Sequence, residues 1–144
     1  MTRTRMIFLV EDDDSDQYFF LLAVKEIENV MMYDVARNGQ EALARLKGAT
    51  SLPDIIFTDI NMPVMGGKEY LMEIVKDPAT GHIPVVVLSS DISEVQNVRD
   101  IGARAFIRKP EDYQTLRLHL EHVLNIDFET QGHIADQTFI TAVG

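Results

Sequence analysis

The chain has 144 residues, 46% of them hydrophobic and 25% charged, which are the proportions of one ordinary folded domain. Its formal net charge of −10 at pH 7 argues against DNA or RNA as a direct partner, because nucleic-acid-binding surfaces carry an excess of positive charge. The sequence has no cysteine and no apolar run that approaches the length of a membrane span, so we expect a cytoplasmic protein without disulfides, thiolate metal sites or a membrane partner.

Five short apolar runs, rich in β-branched residues or bounded by turn signals, predict strands. They lie at residues 6–10, 31–36, 55–58, 85–88 and 105–108. Helical spacing fills the gap after each of them. The first helix is expected to begin at Asp14 as N-cap, with Gln17 three residues on as in a capping-box variant. The other four helices are expected at residues 38–48, 66–76, 93–101 and 112–125.

Strict alternation of strand and helix predicts parallel strands joined by right-handed crossovers, with helices on both faces of the sheet. The run "VVVL" is apolar at every position, as expected for a strand that is covered on both sides. We therefore predict an α/β doubly wound fold with a five-stranded parallel sheet and five helices. In such folds, functional groups collect outside the carboxyl ends of the strands.

Polar residues follow four of the predicted strands, and all of them face the same edge of the sheet. If the first and third strands are neighbours, as the flavodoxin-like order 2-1-3-4-5 requires, Glu11, Asp12 and Asp59 converge. Two unit charges at about 4 Å repel by about 4 kcal/mol at an effective dielectric of about 20. A hard divalent cation relieves this repulsion, and an all-oxygen site suits Mg²⁺.

The stretches "LVEDD", "FTDINMP", "VVVLSS" and "RKP" occur in this order, each at a predicted strand end. In sequence and spacing they resemble the receiver domain of two-component response regulators. The resemblance covers roughly residues 6–124 and implies a chemotaxis-type, stand-alone receiver. We expect a receiver domain over residues 1–126 and a short C-terminal tail over residues 127–144, with no output domain.

The resemblance also implies the roles of the site residues. Asp59 is the expected phosphoacceptor, and Glu11, Asp12 and Asp59, together with the backbone carbonyl of Asn61, are the expected Mg²⁺ ligands. Lys109 is the expected lysine of the catalytic set. The implied phosphodonor is a histidine kinase or a histidine phosphotransfer protein, and the downstream partner is an unidentified protein. Such a receiver is a signalling phosphoacceptor with only self-phosphorylation and self-dephosphorylation chemistry, and not an enzyme acting on other substrates.

Signal output is implied by a second group of residues. Ser89 occupies the position of the family's switch hydroxyl, and the resemblance implies that it swings inward while Phe106, at the aromatic switch position, turns to fill the vacated space. Pro110 is expected to follow a cis peptide bond. The sequence departs from the family pattern at Ser90, where a small residue such as Ala is usual, and at Glu111, where Phe is common.

Some residues outside this set, two rival functions and the C-terminal tail also need an interpretation. The acids Asp13, Asp14 and Asp16 are read as capping or solvated residues and not as metal ligands. A phosphohydrolase of haloacid-dehalogenase type also places an Asp after a buried strand, but that family needs a second Asp two residues on, where this chain has Asn61. The second rival function is a degenerate receiver that binds partners without phosphorylation. The tail is either loose or packed back on the domain or on a second copy.

Overall fold

A single parallel sheet organises the computed structural model, which describes residues 3–126 and 140–142. Its strands are β1 (Arg5–Val10), β2 (Val30–Ala36), β3 (Ile55–Asp59), β4 (Val85–Ser89), β5 (Ala105–Arg108) and β6 (Ile140–Ala142). Their spatial order is β2-β1-β3-β4-β5-β6, and every neighbouring pair is parallel. The predicted order 2-1-3-4-5 is therefore confirmed, and a sixth strand adds to it.

Residues 3–126 contain five helices, which alternate with the strands. They are α1 (Asp14–Lys25), α2 (Gly39–Lys47), α3 (Gly67–Lys76), α4 (Val95–Ile101) and α5 (Tyr113–Leu124). The predicted fourth helix was too long at its start, because Ile92–Glu94 forms a separate 3-10 turn in which Asp91 accepts a hydrogen bond from the Ser93 amide. No helix in the described part of the chain is long and apolar enough to cross a membrane.

Two apolar layers hold the helices against the sheet. In β3, Ile55 and Phe57 pack into the layer that contains buried residues of α1 and α5, whereas Ile56 packs into the layer of α2, α3 and α4. All five residues of β3 and all five of β4 are buried. This burial explains why the central strands are continuous apolar runs, and it fixes the polar residues that follow them at one edge of the sheet.

The start of α1 corrects one sequence-based expectation. Asp13, and not Asp14, is the N-cap: its backbone is extended and its side chain accepts a hydrogen bond from the amide of Asp16 at 2.8 Å. The backbone amide of Gln17 donates to the carbonyl of Asp13, and its side-chain amide donates to the carbonyl of Glu11. The cap residue must precede the first helical turn, so α1 is shifted by one residue relative to the prediction.

The sixth strand bears on the open question of the C-terminal tail. In β6, Ile140, Thr141 and Ala142 pair with Ala105, Phe106 and Ile107 of β5 in parallel. This part of the tail lies against the domain itself and extends the five-stranded sheet. The rest of the predicted tail, residues 127–139 and 143–144, lies outside the described residues.

Candidate functional site

Strand register brings the acids of the first and third strands together. Val10 at the end of β1 is paired with Thr58 of β3, so the residues that follow them, Glu11 and Asp59, reach the same edge. Carboxylate oxygens of Glu11, Asp12 and Asp59 all lie within 4.8 Å of one another. The expected convergence is present, and it arises because neighbouring parallel strands end side by side.

Asp59 is held rigidly at the end of β3. The residue is 8% exposed, and its Oδ1 accepts a hydrogen bond from the amide of Ile60 at 2.7 Å. Gly67 at the start of α3 donates its amide to the carbonyl of Ile60, also at 2.7 Å. A Cβ at Gly67 would lie 2.1 Å from the carbonyl oxygen of Asp59, so only glycine allows this close approach.

Lys109 faces three carboxylates. Its Nζ lies 2.8 Å from Oε1 of Glu11, 2.8 Å from Oδ2 of Asp16 and 3.3 Å from Oδ2 of Asp59. Burial lowers the pKa of Lys109, but hydrogen bonds to Asp16 and Glu11 outweigh it and leave the pKa raised. The lysine is therefore a fixed positive charge beside the Asp59 carboxylate.

Asp16 is the residue of this site that the sequence analysis missed. It was interpreted as a solvated or capping acid, but its carboxylate pairs with Lys109, 93 positions away in the sequence. The pairing depends on how α1 is seated against the end of β5, and no local pattern in the sequence indicates it. The signal in the sequence was only the position of Asp16 in the first turn of a helix that starts at the acidic edge.

Glu11 is nearly inaccessible to solvent, at 1% exposed. Burial raises its pKa from 4.5 to about 7; the charge of Asp59 adds to the rise, and the hydrogen bond with Lys109 opposes it. A buried carboxylate surrounded by other carboxylates favours its neutral form, because the charged form loses its hydration and is repelled. The site gathers four carboxylates, those of Glu11, Asp12, Asp16 and Asp59, around the single ammonium of Lys109.

Ser89 ends β4 beside Asp59. Leu88 is paired with Asp59 in the sheet, which places Ser89 one residue further along the same edge. The Ser89 hydroxyl accepts a hydrogen bond from the amide of Asp91 at 3.1 Å, and its carbonyl accepts one from the amide of Lys109 at 2.9 Å. The hydroxyl is tied to its own loop in this state, and the carbonyl fixes the start of the lysine-bearing segment.

One expectation on the β5 side differs from the structure. The described residues contain no cis peptide bond, so the bond before Pro110 is trans and the expected cis bond is wrong here. The trans form of an X–Pro bond is favoured by about 0.5–1 kcal/mol, and Lys109 reaches its three carboxylates from it. Phe106 is fully buried. Its turn towards the space vacated by Ser89 stays a prediction.

The cluster suits a hard divalent cation. Three carboxylate oxygens within 4.8 Å form an all-oxygen donor set, and the exposed Asn61 lies two residues beyond Asp59. Hard ions such as Mg²⁺ and Mn²⁺ prefer such ligands, whereas thiolates and imidazoles that select other metals are absent from this set. The excess negative charge gives a cation at this position a direct electrostatic advantage.

Known proteins of similar sequence belong to two-component signalling systems. Residues 7–121 match the family described as "Response regulator receiver domain". Protein PilH of Pseudomonas aeruginosa is 30% identical over 118 residues, which are 81% of this chain and 95% of that protein. Histidine kinase P4 of Formosa agariphila is 31% identical over 137 residues, and this chain spans only 10% of its length.

Two solved structures are similar in fold. The phosphorylated cyanobacterial phytochrome response regulator RcpA superposes with a TM-score of 0.74 at 32% identity, covering 83% of this chain and 90% of that one. The Mn²⁺-bound form of response regulator Rcp1 superposes with a TM-score of 0.75 at 25% identity, covering 88% and 96%. Since the family match covers most of the 144 residues and the fold agrees with it, the chain belongs to the response regulator receiver domain family of two-component signalling.

Proposed function

We propose that this receiver takes a phosphoryl group onto Asp59 from the phosphohistidine of a histidine kinase or phosphotransfer protein, in a reaction that requires Mg²⁺. The observation that carries the proposal is the placement of the Asp59 carboxylate, with Lys109 Nζ 3.3 Å from its Oδ2 and the carboxylates of Glu11 and Asp12 beside it. The phosphorylated form of RcpA and the Mn²⁺-bound form of Rcp1, both similar in fold, support the same assignment.

The chemistry follows from the groups at the edge of the sheet. A carboxylate oxygen of Asp59 attacks the phosphorus atom, an O–P bond forms, the N–P bond breaks, and the imidazole leaves with the electron pair. Lys109 neutralises charge on the phosphoryl oxygens during transfer. Glu11, Asp12, Asp59 and the Asn61 carbonyl would hold the metal, which when bound supplies further positive charge for the same oxygens. Attack of water on the acyl phosphate restores Asp59 and releases inorganic phosphate.

A docking surface for the donor lies next to the site. A cavity between α1 and the start of α5 opens beside Lys109, and its apolar lining includes Phe19, Phe20, Pro110, Tyr113 and Leu116. Tyr18 and Phe19 are 60% and 44% exposed on the same helix. An apolar surface adjoining the reactive carboxylate is where a donor domain that carries its histidine to Asp59 makes contact.

Signal output is proposed to begin at Ser89. Phosphoryl oxygens on Asp59 offer new acceptors, and the Ser89 hydroxyl still has its hydrogen to donate, because it acts as an acceptor towards the Asp91 amide. We propose that the hydroxyl swings towards these oxygens, which lengthens its contact with the Asp91 amide, loosens the loop before α4 and changes the face formed by α4, β5 and α5. Phe106 is buried in the strand next to this loop, and its ring is proposed to turn into the space that Ser89 vacates.

The test of the proposed function is phosphorylation by a small donor. The protein is incubated with acetyl phosphate and either Mg²⁺ or excess chelator, and the intact mass is recorded over time. We expect one phosphoryl group per chain with Mg²⁺, none with chelator, and none in Asp59→Asn. A wild-type protein that stays unlabelled with Mg²⁺ would instead support a degenerate receiver that binds its partner without phosphorylation.

A further inference from the structure

The ammonium group of Lys109 faces three carboxylates and donates hydrogen bonds to two of them, Asp16 and Glu11, before any phosphoryl group arrives. It has three N–H donors, and carboxylate oxygens of Glu11, Asp16 and Asp59 lie at 2.8, 2.8 and 3.3 Å. The contact with the expected phosphoacceptor is the longest of the three. A phosphoryl group on Asp59 can take the donor that faces Asp59, but any second or closer contact with Lys109 must draw the ammonium away from Glu11 or Asp16.

Solvent exposure determines whether Glu11 or Asp16 separates from Lys109 more easily. The side chain of Glu11 is 2% exposed, whereas that of Asp16 is 43% exposed. An acid released from Lys109 must be solvated again, and water already reaches Asp16 but not Glu11. The pair between Lys109 and Asp16 is thus the contact that can open at low cost.

Helix α1 presents Asp16 for this role. Its amide is taken by the side chain of the N-cap Asp13 at 2.8 Å, so the backbone of Asp16 is fixed while its carboxylate points across to Lys109. The same helical turn contains Asp14, which pairs with Arg37 at 2.8 Å instead. Two acids of one turn therefore have separate partners, and only one of them holds the lysine.

We propose that Asp16 is a positioning residue that holds Lys109 before phosphorylation and competes with the phosphoryl group on Asp59 for a lysine donor. The inference rests on the proposed function and adds an element of control to it. By occupying Lys109, Asp16 weakens binding of a phosphoryl-like anion and favours return to the unphosphorylated state. Removing its charge makes the lysine available and lets the phosphorylated state persist.

The test compares Asp16→Asn with Asp14→Asn, which removes the same charge two residues away but leaves Lys109 untouched. Beryllofluoride with Mg²⁺ serves as a phosphoryl mimic, and its binding is measured by ¹⁹F NMR. Exposed ion pairs contribute about 0.2–1 kcal/mol, so we expect Asp16→Asn to bind the mimic about 1.4- to 5-fold more tightly than Asp14→Asn. Asp16→Glu keeps a carboxylate, so its affinity for beryllofluoride should return towards that of the wild-type protein.

A second measurement reports on the lysine directly and needs no phosphoryl group. In the unphosphorylated protein, the ¹⁵N signal of the Lys109 ammonium should shift in Asp16→Asn and stay unchanged in Asp14→Asn. Equal mimic affinity in the two variants, or weaker binding in Asp16→Asn, would overturn the competition while leaving the proposed function intact. A wild-type protein that takes neither beryllofluoride nor a phosphoryl group would overturn both.

Discussion

At the scale of single residues, charge balance dominates the site. Glu11, Asp16 and Asp59 share the ammonium of Lys109, and Asp12 adds a further carboxylate to the cluster. Burying like charges costs free energy unless a cation, a proton or a hydrogen bond compensates them. Glu11 is the acid whose pKa responds most clearly, because it is the most buried of the four and its pKa rises to about 7.

This shift predicts a pH-dependent stability. Between about pH 4.5 and 7 the folded protein keeps a proton on Glu11 that the unfolded chain has released, so the free energy of unfolding falls as the pH rises through this range. Glu11→Gln cannot titrate and should lack this part of the slope. Urea unfolding of both proteins in chelator, at several pH values from 4.5 to 7.5, measures the difference. Parallel pH curves for wild type and Glu11→Gln would contradict the raised pKa.

At the scale of elements, the turn from β3 into α3 sets the position of Asp59, the proposed phosphoacceptor. The Gly67 amide binds the Ile60 carbonyl, and the backbone of Gly67 lies directly against that of Asp59. The contact is between backbone atoms, so neither side can give way by changing a rotamer. The stretch from Asp59 to α3 therefore acts as one rigid unit, which suits a nucleophile that must not move.

Gly67→Ala tests this unit. Its Cβ would meet the Asp59 carbonyl oxygen at 2.1 Å, so we expect the free energy of unfolding to fall by about 3 kcal/mol or more. Phosphorylation of Asp59 should also be slower. Gly48→Ala is the matched control, because its nearest contact would be the Ala44 carbonyl at 3.9 Å; its stability should change by no more than about 0.5 kcal/mol. If both variants unfold at the same urea concentration, the close approach is unimportant.

Some strands and contacts of this fold can be predicted from the sequence, and others cannot. The five main strands could be predicted because each is an apolar run closed by a turn signal, and the convergence of Glu11, Asp12 and Asp59 followed from their order. The pair of Asp16 with Lys109 could not, because it depends on the seating of α1 against the end of β5. The three-residue β6 carries no periodicity of its own, so its pairing is decided by the free edge of β5.

The sixth strand gives a prediction for that edge. A chain that stops after residue 139 loses β6, which leaves β5 as the outer strand of the sheet. Backbone amides of Ala105–Arg108 should then exchange with deuterium faster. Phosphorylation of Asp59 by acetyl phosphate should persist, because β4 and β5 separate β3 from the lost strand. Hydrogen-exchange mass spectrometry measures both chains. Unchanged exchange across β5 would show that β6 contributes no protection.

At the scale of the whole molecule, an acidic chain concentrates part of its net charge of −10 at one edge of its sheet. The rest of the structure, with two apolar layers around buried central strands, provides the stability that offsets this local repulsion. A cation that binds only the folded form relieves the repulsion and shifts the folding equilibrium. The site and the stability of the domain are linked through this charge.

We therefore expect Mg²⁺ to raise the melting temperature of the protein relative to chelator. A ligand at 100 times its Kd stabilises the native state by about 2.7 kcal/mol, and thermal unfolding monitored by circular dichroism would detect such a change. Asp12→Ala removes one of the clustered carboxylates and should reduce the effect of Mg²⁺. Identical melting curves of the wild-type protein with saturating Mg²⁺ and with chelator would contradict a metal site at this edge.

The most direct test of the central claim locates the phosphoryl group among neighbouring carboxylates. After incubation with acetyl phosphate and Mg²⁺, borohydride reduces an aspartyl phosphate to homoserine, and peptide mass spectrometry identifies the altered position. We expect homoserine at position 59, dependent on Mg²⁺, with Asp12 and Asp16 unmodified. Modification at Asp12 or Asp16, or at none of these acids in a protein that has gained a phosphoryl group, would contradict the assignment of Asp59 as the phosphoacceptor.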